Sequence, residues 1–96
     1  MKKQDKEVIV VLLTQNRKEL LQKGLDGLFK QTCIIKKILV VDSVSTDGTY
    51  NTLKEKGIID RSDIQYIRLK ENKGPSGGFA EGIKNAMKEN PKWIWI

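Results

Sequence analysis

Apolar residues follow two different spacings along this chain. Four short runs rich in apolar residues are interpreted as strands; they cover residues 8–13, 37–41, 64–69 and 93–96. The first is rich in β-branched residues, and the third has apolar residues at 64, 67 and 69. Between them, apolar residues recur every three or four positions, as on one face of a helix. This spacing predicts helices over 18–31, about 49–56 and 79–88. The predicted element order is therefore β-α-β-α-β-α-β.

Polar residues and glycines mark where these helices begin and end. Asn16 and Glu19 have the spacing of a capping box, which predicts the start of the first helix. Gly57 is a natural end for the second helix. The glycine-rich residues 71–78 predict a loop before the third helix. The apolar face of that helix would hold Phe79, Ile83, Ala86 and Met87.

The alternation of strands and helices predicts an α/β fold with an open parallel sheet and helices on both faces. Right-handed crossovers then restrict the topology. If the first two helices cover one face and the third crosses to the other, the strand order is 3-2-1-4. Ligands of such sheets bind outside the carboxyl ends of the strands, at the point where the strand order reverses. Here that point lies between strands 1 and 4.

Length, charge and residue usage narrow the class of protein. The chain has 96 residues and a net charge of +6, which suits one small domain with anionic partners. It has no run of five basic residues and only six aromatics, so nucleic acid is not an expected partner. Cys33 is the single cysteine, which excludes an internal disulfide and favours a reducing compartment. The lack of histidine excludes Ser-His triads and histidine metal sites.

The first apolar run, 8–13, is too short for a signal-peptide core or a membrane span. We therefore expect a cytoplasmic protein, with peripheral contact at the inner face of the membrane left open.

Polar residues follow three of the predicted strands and would meet at one edge of the sheet. They include one carboxylate, several hydroxyls, backbone amides freed by glycine, and two cations. A carboxylate can accept a pyrimidine N–H, hydroxyls and amides suit ribose, and cations and helix N-termini suit a diphosphate. The candidate nucleotide-binding residues are Thr14, Gln15, Asn16, Arg17, Asp42, Ser43, Asp47, Asn72, Lys73, Gly74, Gly77 and Gly78.

Several of these residues also have purely structural interpretations. Asp42 could cap the turn that follows its strand, and Ser45 or Asp47 could cap the second helix. The pair at 77–78 could only permit a tight turn. Trp93 and Trp95 are interpreted as core residues.

The order and spacing of four stretches resemble the donor half of family-two inverting glycosyltransferases with the GT-A fold. They are VIVVLLTQNRKELLQKGLDGLFKQT, ILVVDSVSTDGTYNTL, IRLKENKGPSGGFAEGIKNAM and WIWI. The glycine-rich stretch is similar to the galactofuranosyl- and rhamnosyltransferase-like branch. The resemblance implies that Asp42 accepts a hydrogen bond from the pyrimidine ring of the donor. It also implies that 14–17 surround the base and ribose and that 72–78 lie against the nucleotide.

The resemblance further implies a donor that is a uridine- or thymidine-diphosphate sugar and an acceptor that is a glycan or lipid-linked, in cell-envelope polysaccharide synthesis. Two positions depart from the family pattern: Gln15 stands where an aromatic is common, and Ser43 where Asn is common. In the family, a strand like 93–96 leads into an Asp-x-Asp motif that holds the metal. This chain stops before that motif.

We therefore expect residues 1–96 to form the donor-binding half of a glycosyltransferase domain, with no catalytic residue, metal or cofactor of its own. Manganese or magnesium is expected only in the full-length enzyme. The chain alone should bind nucleotide weakly without turnover.

Two other classes of α/β domain are excluded, and one alternative function stays open. A dinucleotide-binding domain should carry G-x-G-x-x-G after the first strand, and a receiver domain should carry acidic residues there; this chain has neither. A non-enzymatic nucleotide-binding or interaction module remains the alternative. A homo-oligomer built through residues 93–96 is also expected, because the outer strand offers an unblunted edge.

Overall fold

The computed structural model describes residues 8–31 and 35–96; Cys33 lies outside these ranges. The predicted element order is confirmed. The seven elements are β1 (Val8–Thr14), α1 (Lys18–Phe29), β2 (Ile35–Asp42), α2 (Thr49–Glu55), β3 (Ile64–Arg68), α3 (Gly74–Met87) and β4 (Trp93–Trp95).

The four strands form one parallel sheet in the order β3-β2-β1-β4, as predicted. β2 pairs along the whole of β1, ending with Thr14 opposite Asp42, and β3 continues that row with Arg68. β4 pairs with Val8–Val10 only. The carboxyl half of β1 is therefore flanked by β2 on one edge, whereas β4 does not extend along its other edge.

Apolar side chains fill both faces of the sheet, which explains the nearly continuous apolar strands. On one face, β1 and β2 pack against Leu21 and Leu25 of α1 and Leu53 of α2. On the other face, they pack against α3 through Ala86. The prediction of helices on both faces is thus confirmed.

The predicted start of α3 is wrong by five residues, because the helix begins at Gly74 and not at Phe79. Asn72 accepts the Gly74 N–H at 2.8 Å, and Pro75 occupies the first turn, where its fixed φ suits a helix. Gly77 and Gly78 are therefore helical residues and not a loop. We attribute the error to the low intrinsic helix propensity of glycine.

Close packing explains why glycines occur in this helix. A Cβ on Gly78 would run into the side chain of Leu13, and one on Gly82 would meet Val11 and Val41. The buried stripe of α3 consists of Gly78, Gly82 and Ala86. Met87, predicted to lie on the apolar face, is 60% exposed.

Two other local predictions are wrong. Asn16 does not cap α1; the helix follows Arg17, and no side chain caps it from that position. Asn16 instead adopts a left-handed conformation at φ 52° and bonds the loop after β2, as described below. Trp93 and Trp95 are not core residues, because they are 58% and 41% exposed on the short outer strand.

Candidate functional site

A cleft of about 450 Å³ opens at the carboxyl ends of β1 and β2. We call it the polar cleft. Three segments that are distant in sequence line it: the end of β1 with the start of α1, the loop after β2, and the loop that enters α3. Its lining residues are Leu13, Thr14, Gln15, Arg17, Leu20, Ser43, Asn72, Gly74 and Pro75. Six of the twelve predicted binding residues are thus brought together.

A second cleft of about 410 Å³ adjoins the polar cleft beside α1 and is called the apolar cleft. The two clefts share Leu13, Thr14, Arg17 and Leu20. The apolar cleft adds Leu12, Leu21, Lys23 and Gly24. No sequence pattern indicates this second cleft, because its walls have the residue types of ordinary core and surface positions.

Thr14 lies where the two clefts meet. Its side chain is buried, with 4% of the residue exposed. The Thr14 hydroxyl is the single buried side-chain N or O atom without a hydrogen-bond partner among the residues that the structure describes. A buried polar group without a partner is costly, so this hydroxyl is available to a ligand.

Asn72 connects two of the loops that line the polar cleft. Its Oδ1 accepts hydrogen bonds from the Ser43 hydroxyl at 3.1 Å and the Gly74 N–H at 2.8 Å. The Ser43 N–H in turn bonds the Thr14 carbonyl at 2.8 Å, which carries the β1–β2 ladder into the cleft wall. These bonds fix the cleft wall without a bound ligand.

Asp42 lies behind the wall of the polar cleft and has no exposed surface. Its Oδ1 accepts the Ser45 N–H at 2.8 Å. Its Oδ2 accepts the Tyr66 hydroxyl and, at 3.3 Å, the Arg68 guanidinium. Burial, and then the bond to Asp42, raises the pKa of Tyr66 well above its usual range, so its hydroxyl keeps its proton.

Tyr66 and Arg68 were missed by the sequence analysis. They lie two residues apart in β3, so both project on the face of the sheet that carries Asp42. The Arg68 side chain is half-exposed and also bonds the Ser45 carbonyl at 3.1 Å. The available signal was the two-residue spacing of these side chains, which places both on one face of a strand.

Asp47 joins the beginnings of two helices. Its Oδ1 accepts the Thr49 N–H at 3.2 Å and the Thr49 hydroxyl, and its Oδ2 accepts the Lys18 N–H at 3.2 Å. The Thr49 hydroxyl contributes most to lowering the pKa of Asp47, and the backbone amides add to it. The carboxylate thus acts as a cap at α2, as one interpretation proposed, and also at α1.

Asn16 also ties the loops together. Its N–H donates to the Ser45 hydroxyl at 2.9 Å, and its Oδ1 accepts the Thr46 N–H at 2.7 Å. The loops after β1 and β2 are therefore held as one unit beside the polar cleft.

The remaining candidates lie outside the polar cleft. Lys73 lines a separate depression of about 290 Å³ with Arg68 and Glu81. Gly77 faces the Lys73 side chain, and Gly78 packs on Leu13. Sequence reasoning grouped these three with the site because it placed 71–78 in a loop.

Neither a metal site nor a membrane span is found in the described ranges. Residues 8–31 and 35–96 contain no group of three His, Cys, Asp or Glu side chains that could hold a metal ion. None of the helices within them is long and apolar enough to cross a membrane.

The amino-acid sequence of this chain is similar to those of known proteins. The family model for glycosyl transferase family 2 matches residues 9–96. Galactofuranosyltransferase GlfT1 of Mycobacterium tuberculosis (strain ATCC 25618 / H37Rv) is 31% identical over 90 residues, which are 93% of this chain and 29% of that protein. GlfT1 of Mycolicibacterium smegmatis is 28% identical over 89 residues, or 93% of this chain and 28% of that protein. The chain therefore spans less than a third of these relatives.

A solved structure shares the fold. The mannosyltransferase PcManGT from Pyrobaculum calidifontis, in complex with GDP-Man and Mn²⁺, superposes with a TM-score of 0.65 and 24% identity. The match covers 88% of this chain and 24% of PcManGT. The sheet order and this match identify a GT-A, Rossmann-like fold.

Proposed function

The chain belongs to glycosyl transferase family 2, and on that basis we propose that it is the donor-binding part of an enzyme that transfers a sugar from a nucleotide-diphosphate donor. One observation carries the proposal: the polar cleft gathers Thr14, Gln15, Arg17, Ser43 and Asn72 from three loops at the carboxyl edge of the sheet. Parallel α/β sheets bind their ligands at this edge.

Each part of the nucleotide has a suitable partner in or beside the polar cleft. Arg17 provides a cation for the diphosphate. Ser43, Asn72 and the unpaired Thr14 hydroxyl provide hydrogen bonds for ribose. Asp42 would accept a base N–H through Oδ1, which receives one hydrogen bond now. Because Asp42 has no exposed surface, loop 43–48 must shift for the base to reach it.

We propose a uridine- or thymidine-type donor, because a carboxylate acceptor suits the ring N–H of these bases. Guanine also carries a ring N–H, and the structural neighbour PcManGT binds GDP-Man. A direct comparison of these nucleotides is therefore part of the test.

The acceptor of the longer protein is proposed to be a glycan or a lipid-linked saccharide of the cell envelope. Support comes from the mycobacterial galactofuranosyltransferases that this chain resembles. The proposed location is cytoplasmic, with peripheral contact to the inner face of the membrane.

The residues of the described ranges do not form a group that could hold a metal ion. A divalent ion such as Mn²⁺ or Mg²⁺, if the full-length enzyme uses one, would need further ligands. Since metals neutralise the leaving diphosphate, we propose that this chain alone binds nucleotide weakly and does not turn it over.

Calorimetric titration with UDP, TDP and GDP, with and without Mn²⁺, tests the donor-binding role. We expect wild-type binding that Mn²⁺ changes little and that Arg17→Gln weakens about tenfold, the effect of losing about 1.4 kcal/mol. Arg61→Gln is the matched control, because Arg61 stacks on Phe29 and pairs with Asp63 away from the cleft. Undetectable binding of all three nucleotides would refute the role, as would equal losses in both variants.

We also propose that the chain self-associates through β4. Ile94 packs toward α3, whereas Trp93 and Trp95 on the outermost strand are 58% and 41% exposed. Ile96, which follows that strand, is 67% exposed. A sheet edge with exposed apolar residues is a template for pairing. Light scattering should show assemblies of the wild type that Trp95→Lys reduces. A monomer at tens of micromolar (about the range of such weak contacts) would contradict the proposal, as would assemblies that the substitution leaves unchanged.

A further inference from the structure

We infer that Tyr66 and Arg68 are positioning residues that select the nucleobase by holding Asp42 in one orientation. The inference rests on the proposed donor-binding role. Neither residue lines the polar cleft; both would act through the Asp42 carboxylate.

The arrangement follows from the strand register. Arg68 lies directly opposite Asp42, and Tyr66 lies two residues before it on the same face. The Tyr66 hydroxyl and one Arg68 nitrogen both donate to Oδ2, while Oδ1 receives the Ser45 N–H and no other bond from the residues that the structure describes. A carboxylate oxygen has about two acceptor positions. Oδ2 is therefore filled, and Oδ1 keeps one position for a further donor.

The donors also fix the chemical character of that remaining position. Three hydrogen bonds run into the carboxylate, and one comes from a permanently charged guanidinium. The partly buried Tyr66 hydroxyl keeps its proton, because burial and the bond to Asp42 raise its pKa, and it donates that proton to Asp42 in the hydrogen bond. All of these bonds are ones that the carboxylate accepts, so the remaining position on Oδ1 is an acceptor position.

An acceptor-only oxygen discriminates between bases. Uracil, thymine and guanine present a ring N–H, whereas the corresponding ring nitrogen of cytosine and adenine has no hydrogen and presents a lone pair. A lone pair facing the carboxylate leaves both groups without a partner, and such mismatches are the usual source of specificity.

The same bonds connect β3 to the loops of the cleft. Asp42 holds the Ser45 N–H, the Ser45 hydroxyl accepts the Asn16 N–H, and Asn16 accepts the Thr46 N–H. Removing the Tyr66 hydroxyl should therefore loosen loop 43–48 even though Tyr66 touches no ligand.

The test compares UDP with CDP, which share ribose and diphosphate and differ in the ring N–H. Wild type should prefer UDP by about tenfold or more, equivalent to one hydrogen bond. Tyr66→Phe should weaken UDP binding about fivefold to thirtyfold and shrink the UDP/CDP ratio. Tyr50→Phe is the control, because Tyr50 packs edge-on against Tyr66 at 5.2 Å without bonding Asp42.

Amide hydrogen exchange supplies a second readout that needs no nucleotide. Exchange of Ser45 and Thr46 should accelerate in Tyr66→Phe and not in Tyr50→Phe, with both variants folded by circular dichroism. Unchanged UDP affinity, UDP/CDP ratio and exchange in Tyr66→Phe would overturn the inference. If wild-type protein binds neither nucleotide, the donor-binding role fails and base selection fails with it, while unchanged exchange would separately refute the positioning role.

Discussion

The β2–β3 side and the β1–β4 side of the sheet differ in how their buried polar groups are paired. On the β2–β3 side, the Asp42 carboxylate accepts hydrogen bonds from Ser45, Tyr66 and Arg68. On the β1–β4 side, the buried Thr14 hydroxyl has no partner among the described residues, and β4 covers less than half of β1. On the first side, three donors hold the carboxylate, and one acceptor position on Oδ1 remains. On the second side, the Thr14 hydroxyl makes no bond within the described ranges, and the carboxyl half of β1 has no β4 residue beside it.

The largest expected effect tests how much the hydrogen bonds to Asp42 on the β2–β3 side stabilise the fold. Asp42→Ala leaves the Tyr66 hydroxyl and the Ser45 N–H without an acceptor, and each buried orphan costs about 1–3 kcal/mol. We expect unfolding in urea to show a loss of about 2–4 kcal/mol. A loss below about 1 kcal/mol would show that the network contributes little to stability.

A second substitution tests how closely α3 packs where the two sides meet, at β1 and β2. Gly82 of α3 lies over Val11 of β1 and Val41 of β2, so an added methyl would overpack both. Gly82→Ala should lower the unfolding free energy by about 1–3 kcal/mol. Gly27→Ala is the matched control in α1, because a Cβ at Gly27 would have open space around it. This substitution should stabilise the fold by about 0.5–1 kcal/mol. Equal effects at the two positions would refute close packing across the β1–β2 boundary.

Two buried threonines provide the sharpest comparison of paired with unpaired groups. The Thr49 hydroxyl donates to Asp47, whereas the Thr14 hydroxyl has no partner in the described ranges. Thr49→Val should destabilise by about 1 kcal/mol, and Thr14→Val should be neutral or stabilising by up to about 1 kcal/mol. Thr14→Val should also weaken nucleotide binding. The same sign of stability change in both variants would refute the difference between the paired and the unpaired hydroxyl.

The smallest expected effect is a pH dependence on the β2–β3 side. Burial and Asp42 raise the pKa of Tyr66 above the unfolded value, so this stabilising contribution is complete below about pH 10 and is lost as pH rises further. Urea midpoints from about pH 8 to pH 10.5 should fall more for wild type than for Tyr66→Phe. Lysine titration affects both proteins equally, so parallel curves would contradict the assignment.

The strand order was predictable from the sequence because few topologies satisfy right-handed crossovers with this alternation. The cleft was partly predictable for the same reason, since polar residues after parallel strands meet at one edge. Residues such as Thr14, Ser43 and Asn72 therefore came together as expected.

The rest depended on information that local patterns do not contain. Low glycine propensity concealed the start of α3, because close approach of the helix to Leu13 and Val11 is a tertiary effect. Tyr66 and Arg68 acquire their role only through the β2–β3 register, which no local spacing fixes. The predicted cap at Asn16 failed because Asp47, distant in sequence, bonds the first amide of α1 instead.

The central position of β1 also has a consequence for the order in which the chain folds. Val8 pairs with Ile35 across 35 − 8 = 27 residues and with Trp93 across 93 − 8 = 85 residues. Closing the longer loop costs about 1 kcal/mol more in chain entropy. The three-strand unit β1-β2-β3 should therefore assemble first, and β4 should dock last, both in refolding and during synthesis. Until then the flank of β1 is exposed, which makes the interval before β4 docks the time of greatest risk of misassembly.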